Sequence, residues 1–137
     1  MLDREFVLRF LSFYELGVPE YKGSIDLFLN LGMDYINKNC SEKYAKNMQK
    51  NFIMVLDVSM KIFDKFAFRR MPDLDKRRPI SKALFETWTS ILVHYPKQDL
   101  CVLVKKREEI LKKYQFMCSR DEEFIESIGS GTVPNDR

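Results

Sequence analysis

Histidine occurs once in this chain, at His94, so no two-histidine metal site and no histidine pair can be assembled. The three cysteines, Cys40, Cys101 and Cys118, are odd in number, and no C-x-x-C spacing links any of them. That excludes a zinc ribbon and a paired redox motif and leaves the reduced thiols of an intracellular protein. Cys101 lies in an apolar run and reads as a small core residue. Glycine and proline number five each, too few for collagen or a low-complexity linker. No apolar run approaches the ~18 residues needed to cross a bilayer. The opening Met1-Leu2-Asp3-Arg4-Glu5 mixes both charge signs and lacks the pattern of a signal peptide, so the expected location is the cytoplasm, with no membrane partner.

Apolar bulk is plentiful. The 137 residues are 45% hydrophobic and include eleven Phe, six Tyr and one Trp. At this length roughly two-thirds of the unfolded surface can be buried. Basic residues exceed acidic ones by three, too few to demand a nucleic-acid partner. The excess is local: residues 41–70 hold seven basic and three acidic side chains, whereas residues 1–40 hold four and six.

The apolar spacing is helical almost throughout. Asp3 can cap a helix with Phe6, Val7, Phe10, Leu11 and Tyr14 on one stripe, stopped by Gly17 and Pro19. Ser24 can cap a second, carrying Ile25, Phe28, Leu29, Met33 and Ile36 and ending near Asn39. Ser41 opens the longest, on which Tyr44, Met48, Phe52, Val55, Leu56, Ser59, Met60 and Phe63 oppose a lysine-rich face. Residues 66–79 break the periodicity. Pro79 suits the first turn of a fourth helix bearing Ile80, Leu84, Trp88, Ile91, Leu92 and Tyr95, with Ala83 and Phe85 flanking, and Pro96 ends it. A fifth runs from about Asp99 to Tyr114. Ser119 and Glu122 have capping-box spacing before a short helix through Phe124, Ile125 and Ile128, stopped by Gly129. The expected fold is all-α: about six helices in a compact single-domain bundle over residues 1–129, with a flexible tail at 130–137.

Few residues suggest chemistry. Arg69, Arg70, Lys76, Arg77, Arg78 and Lys82 are the densest basic group, interrupted by Asp73 and Asp75. Guanidinium groups bind phosphate or carboxylate in a bidentate manner, so the group suits a nucleic-acid backbone or an acidic partner. The favoured alternative is that some of these arginines pair with neighbouring acids and fix the loop. Lys105, Lys106, Arg107, Lys112 and Lys113, with Glu108 and Glu109, form an ordinary exposed helix face. His94 sits at a helix end, where it can satisfy carbonyls. Gly129-Ser130-Gly131-Thr132 lacks the lysine and the strand–helix context of a phosphate loop and is rejected as a nucleotide site. No catalytic residue, metal ligand, cofactor or small-molecule substrate is indicated.

Several runs, taken together and in order, resemble a bacterial family. They are DREFVLRFLSFYELG at 3–17, YKGSIDLFLN at 21–30, IFDKFAFRR at 62–70, RRPISKALFETW at 77–88 and FIESIGSGT at 124–132. The last is similar to an F-x-x-x-x-x-x-G-T element. The family has an amino-terminal ParB-like domain and occurs in GmrSD-type, modification-dependent restriction systems. The resemblance implies the helical C-terminal part of such a protein. The D-G-Q-Q-R-type motif tied to nucleotide handling, and the family's separate histidine-containing nuclease module, are absent from the sequence. Family activity does not transfer without the residues that carry it. The chain therefore reads as a split subunit, a fragment or a small inhibitory paralogue. Arg4 and Arg9 stand on a helix whose other side is apolar, solvated or paired with Asp3 and Glu5.

The leading expectation is a non-catalytic helical module that associates with a protein partner or with itself. Leu8, Phe13 and Leu16, outside the tightest stripe of the first helix, are the expected interface. The alternative is a nucleic-acid-binding module, or a competing regulator of a restriction (phage-defence) system, acting through the Arg69–Lys82 surface.

Overall fold

Seven α-helices and no strand occur among residues 2–128, the part of the chain that the computed structural model describes. They are α1 (Leu2–Leu16), α2 (Ile25–Asn39), α3 (Glu42–Phe63), α4 (Lys82–Leu92), α5 (Lys97–Lys105), α6 (Arg107–Arg120) and α7 (Glu122–Ser127). The stop at Gly129 and the tail at 130–137 lie outside the described residues. No described helix is long and apolar enough to cross a membrane. The described chain divides into two compact units, one up to Met54 and one from Val55.

In the first unit, α1 begins at Leu2, so Asp3 lies in its first turn rather than at the cap. A carboxylate is still favourable there, beside the positive end of the helix dipole. Gly17 ends the helix at φ 80°, a conformation that a Cβ disfavours, and its N–H closes on the Phe13 carbonyl at 3.0 Å. Ser24 Oγ accepts from the Leu27 N–H, and Ser41 Oγ from the Tyr44 N–H at 3.1 Å, so both serines cap as their positions suggested.

The core of this unit is aromatic. Phe10 packs on Phe52 with centroids 5.2 Å apart, Phe13 on Phe28 at 4.6 Å, and Tyr21 stands edge-on to Phe28 at 5.6 Å. Helices α1 and α2 approach closely at Ser12 and Gly32, both buried. Val7 and Met33, expected on the buried stripes, are exposed at 38% and 46%.

The second unit is built around Phe63, Leu84, Phe85, Leu92 and Tyr114, all buried. Tyr114 stands edge-on to Phe63 at 5.3 Å, Trp88 at 5.8 Å and Phe124 at 6.1 Å. Its buried hydroxyls are satisfied locally: Ser59 donates to the Val55 carbonyl and Thr89 to the Phe85 carbonyl, each at 2.7 Å.

Several expectations for this unit are corrected. Helix α4 starts at Lys82, because Ser81 takes the cap, its Oγ accepting from the N–H of Leu84 three residues on, which leaves Pro79 outside. Ile80, Ile91 and Tyr95 are exposed, whereas Phe85, placed at the flank, is core. The helix ends at Leu92, and Pro96 instead begins α5 as its cap residue. The expected fifth helix is two, parted at Lys106 (φ −95°, ψ 18°), where no proline or glycine marks the break. The helix total is therefore about seven rather than six. Ser119 belongs to α6 and donates to the Gln115 carbonyl, while Asp121 caps α7 by accepting from the Phe124 N–H at 3.0 Å. Cys101 is exposed and Cys118 is the buried thiol, since the helix turns Cys101 outward despite its apolar neighbours.

Between α3 and α4 the chain is held in an unusual path. Asp64 and Phe68 adopt φ 51° and 60°, the left-handed region that costs a side-chain-bearing residue about 1–2 kcal/mol. Phe68 is held there because its ring is buried edge-on against Phe85 at 5.1 Å while its carbonyl accepts from the Ser81 N–H at 2.8 Å.

Candidate functional site

Two features bear on function: the basic loop at 69–82 in the second unit and a groove in the first. The loop closes on itself through an antiparallel bridge between Arg69 and Ile80. Asp73 Oδ1 accepts from the N–H groups of Asp75 and Lys76, at 3.1 and 3.2 Å, which makes a local turn. Its other oxygen accepts from Arg78 at 3.1 Å. Arg69 donates to the Arg78 carbonyl, and the Arg69 carbonyl in turn accepts from the Tyr114 hydroxyl at 2.7 Å. Desolvation, and then the neighbouring Arg77 charge, pull the Arg69 guanidinium below its ordinary pKa. Arg70 reaches across the unit to the Ile128 carbonyl at 2.7 Å and so holds the end of α7.

Three of the four arginines are thus engaged within the chain, two of them on carbonyls and one on Asp73. Lys76 and Arg77 are exposed, and Lys82 is half-buried. The loop-fixing expectation describes this geometry, with backbone carbonyls taking more of the bonds than acids do. The sequence missed the Arg70–Ile128 tie, because nothing local indicates a contact across 58 positions.

This arrangement separates the arginines by experiment. Replacing Arg70 by Ala leaves the Ile128 carbonyl without its charged donor and should cost about 1.5–3 kcal/mol, read as a fall in thermal midpoint. Arg77→Ala, on an exposed side chain, should stay within about 0.5 kcal/mol of the parent. Equal effects from the two would overturn the assignment.

In the first unit, Val7, Leu8 and Leu11 of α1 face Met33 and Ile36 of α2 across an open groove of about 360 Å³, with Asp3 and Arg4 at its end. Of the residues expected at an interface, Leu8 lines this groove. Phe13, half-buried, instead packs against Tyr21 and Phe28, and Leu16 is half-buried outside the groove. The groove was not legible beforehand because Val7 and Met33 look like core residues by spacing alone. Arg9 is buried and bonds Glu5 through Nε at 3.1 Å and Nη2 at 2.8 Å, while Arg4 is exposed.

Near the other end of α1, Glu15 accepts from the Tyr44 hydroxyl at 2.8 Å. Burial and this carboxylate push the Tyr44 phenol up, and the Glu15 charge raises that of Tyr35 as well. Among the described residues no group of three His, Cys, Asp or Glu is placed to hold a metal ion, and His94 is exposed just beyond α4. No protein-family model, curated protein or solved structure matches this chain.

Proposed function

We propose that this chain is a non-catalytic helical module that works by associating with protein through the α1–α2 groove. The observation that carries the reading is an apolar groove whose walls, Val7 and Met33, remain open to solvent in a unit that already has an aromatic core. The reading extends to the resemblance to the helical C-terminal part of the ParB-like-domain proteins of GmrSD-type restriction systems, supported by the ordered sequence runs. It also places the chain in the cytoplasm.

The test is photo-crosslinking in cells. A photoreactive residue replaces Met33, and a control carries it at Lys113, an exposed position on α6. Protein adducts specific to position 33, lost when Val7→Glu is added, are expected. No adduct at 33, or equal adducts at both positions, overturns the reading.

The alternative, a nucleic-acid-binding module or competing regulator acting through the basic loop, rests on Lys76 and Arg77, the two of its six cations that are exposed. Two phosphate contacts give a salt dependence of log K on log[salt] near −2, against about −5 if all six engage. Salt-dependent binding with a slope near −2 would favour the alternative, and no binding at low salt would count against it.

A further inference from the structure

Six cations stand with two acids between residues 69 and 82, and the fold sets one of those acids on one of the cations. Asp73 Oδ2 accepts from Arg78 Nη2 at 3.1 Å, while the Arg78 Nε–H is buried and has no hydrogen-bond partner among the described residues. We propose that Lys76, Arg77 and Arg78 form a phosphate-binding site that Asp73 holds partly closed by occupying Arg78. The inference rests on the basic-loop alternative rather than on the groove, and it names the contact that restrains the loop.

Three observations support it. The ion pair is a poor one for arginine, whose guanidinium matches an oxyanion best through two parallel N–H bonds; Asp73 uses one. Both side chains are also partly open to solvent, at 35% and 45%, so water competes with the pair and an incoming phosphate can displace it. The backbone of the site is held by other bonds, since Arg69 donates to the Arg78 carbonyl and bridges Ile80, so releasing the Arg78 side chain leaves the loop in place. Finally, positive charge gathers beside it. Lys76 and Arg77 are exposed, and Arg77 lies near enough to Arg69 for its charge, after desolvation, to disfavour the Arg69 guanidinium. Like charges crowded on one loop draw an anion to it.

The experiment is fluorescence anisotropy of a short labelled DNA duplex over a series of salt concentrations, with thermal melting to confirm that each variant folds. Asp73→Asn is the informative change. It keeps Oδ1 as acceptor for the N–H groups of Asp75 and Lys76 and removes the charge that holds Arg78. One added phosphate contact should tighten binding by about tenfold near ~50 mM salt and steepen the slope of log K on log[salt] from about −2 to about −3. Adding Arg78→Gln to Asp73→Asn should return both to the parental values. Asp75→Asn removes the same charge from an exposed neighbour that does not hold Arg78, and should leave the slope unchanged. Calorimetry with inorganic phosphate separates the sources of the ligand. Phosphate binding that is tighter in Asp73→Asn, without duplex binding, supports a free phosphate; duplex binding supports a nucleic-acid backbone.

Parental affinity and slope in Asp73→Asn, a gain that survives Arg78→Gln, or equal effects from Asp73→Asn and Asp75→Asn would each overturn the proposal. If the parent binds duplex with a slope near −2 and Asp73→Asn changes nothing, the basic-loop alternative stands and the restraint by Asp73 falls. If neither duplex nor phosphate binds the parent or Asp73→Asn, both fall.

Discussion

Gly32→Ala should lower the stability of this protein by about 2–3 kcal/mol, although the same change in an exposed helix ordinarily raises it by up to about 1 kcal/mol. A Cβ at position 32 would lie 2.0 Å from Ser12 Oγ, 2.7 Å from its Cβ and 3.2 Å from its Cα. Turning the Ser12 side chain away relieves the first contact and not the other two, so the helices must separate. At this chain length the loss corresponds to a fall in thermal midpoint of about 8 °C, measurable by calorimetry.

Ser12→Ala is the control. The Ser12 hydroxyl is fully buried and has no hydrogen-bond partner among the described residues, so its removal should be nearly neutral. Pairing Gly32→Ala with Ser12→Gly removes two of the three close contacts and should recover part of the loss. A Gly32→Ala protein more stable than the parent would show that α1 and α2 are not in contact there.

Tyr114→Ala should be the most damaging change in the second unit, at about 4 kcal/mol or more. It removes a ring that touches Phe63, Trp88 and Phe124 and leaves the Arg69 carbonyl without its donor. Tyr114→Phe keeps the ring and isolates the hydrogen bond, with an expected cost of about 1–2 kcal/mol by denaturant unfolding. Loss of the loop bond also frees the strained path at Phe68, so proteolysis between residues 69 and 80 should speed up in Tyr114→Phe. If Tyr114→Phe is as stable as the parent, the bond to Arg69 carries no net energy.

The same residue sets a pH signature. Burial pushes the Tyr114 phenol well above its ordinary value of 10.0, so the folded chain keeps a proton that the unfolded chain releases. The stability linked to that proton is intact below pH 10 and is lost progressively as pH rises further. The slope is about 1.4 kcal/mol per pH unit for each such group. Tyr44 acts in the same direction, raised first by burial and then by its bond to Glu15. Tyr114→Phe should therefore make the alkaline fall shallower by about that slope without abolishing it. An alkaline profile identical to the parent's would count against the buried phenol.

The division between what was legible and what was not follows the range of the interactions. The all-α class, the caps at Ser24 and Ser41, the stop at Gly17 and the lysine face of α3 could be read from sequence, because each depends on residues within one or two helical turns. Two helix starts were placed a few residues off. Spacing pointed to Pro79 for α4 and to Ser119 for α7, whereas the caps are Ser81 and Asp121. The hydrogen bonds made by Ser81 and Asp121 decided the outcome.

Spacing alone determined which residues lie along one side of a helix. Only the tertiary structure decided which parts of that side are covered. It left Val7 and Met33 open at the groove, turned Cys101 outward, divided the expected fifth helix at Lys106 and bound Arg70 to Ile128. The physical reason is that helical periodicity is a property of consecutive residues. Burial is a property of whichever segment arrives from elsewhere in the chain, and no local pattern of the groove residues specifies that arrival.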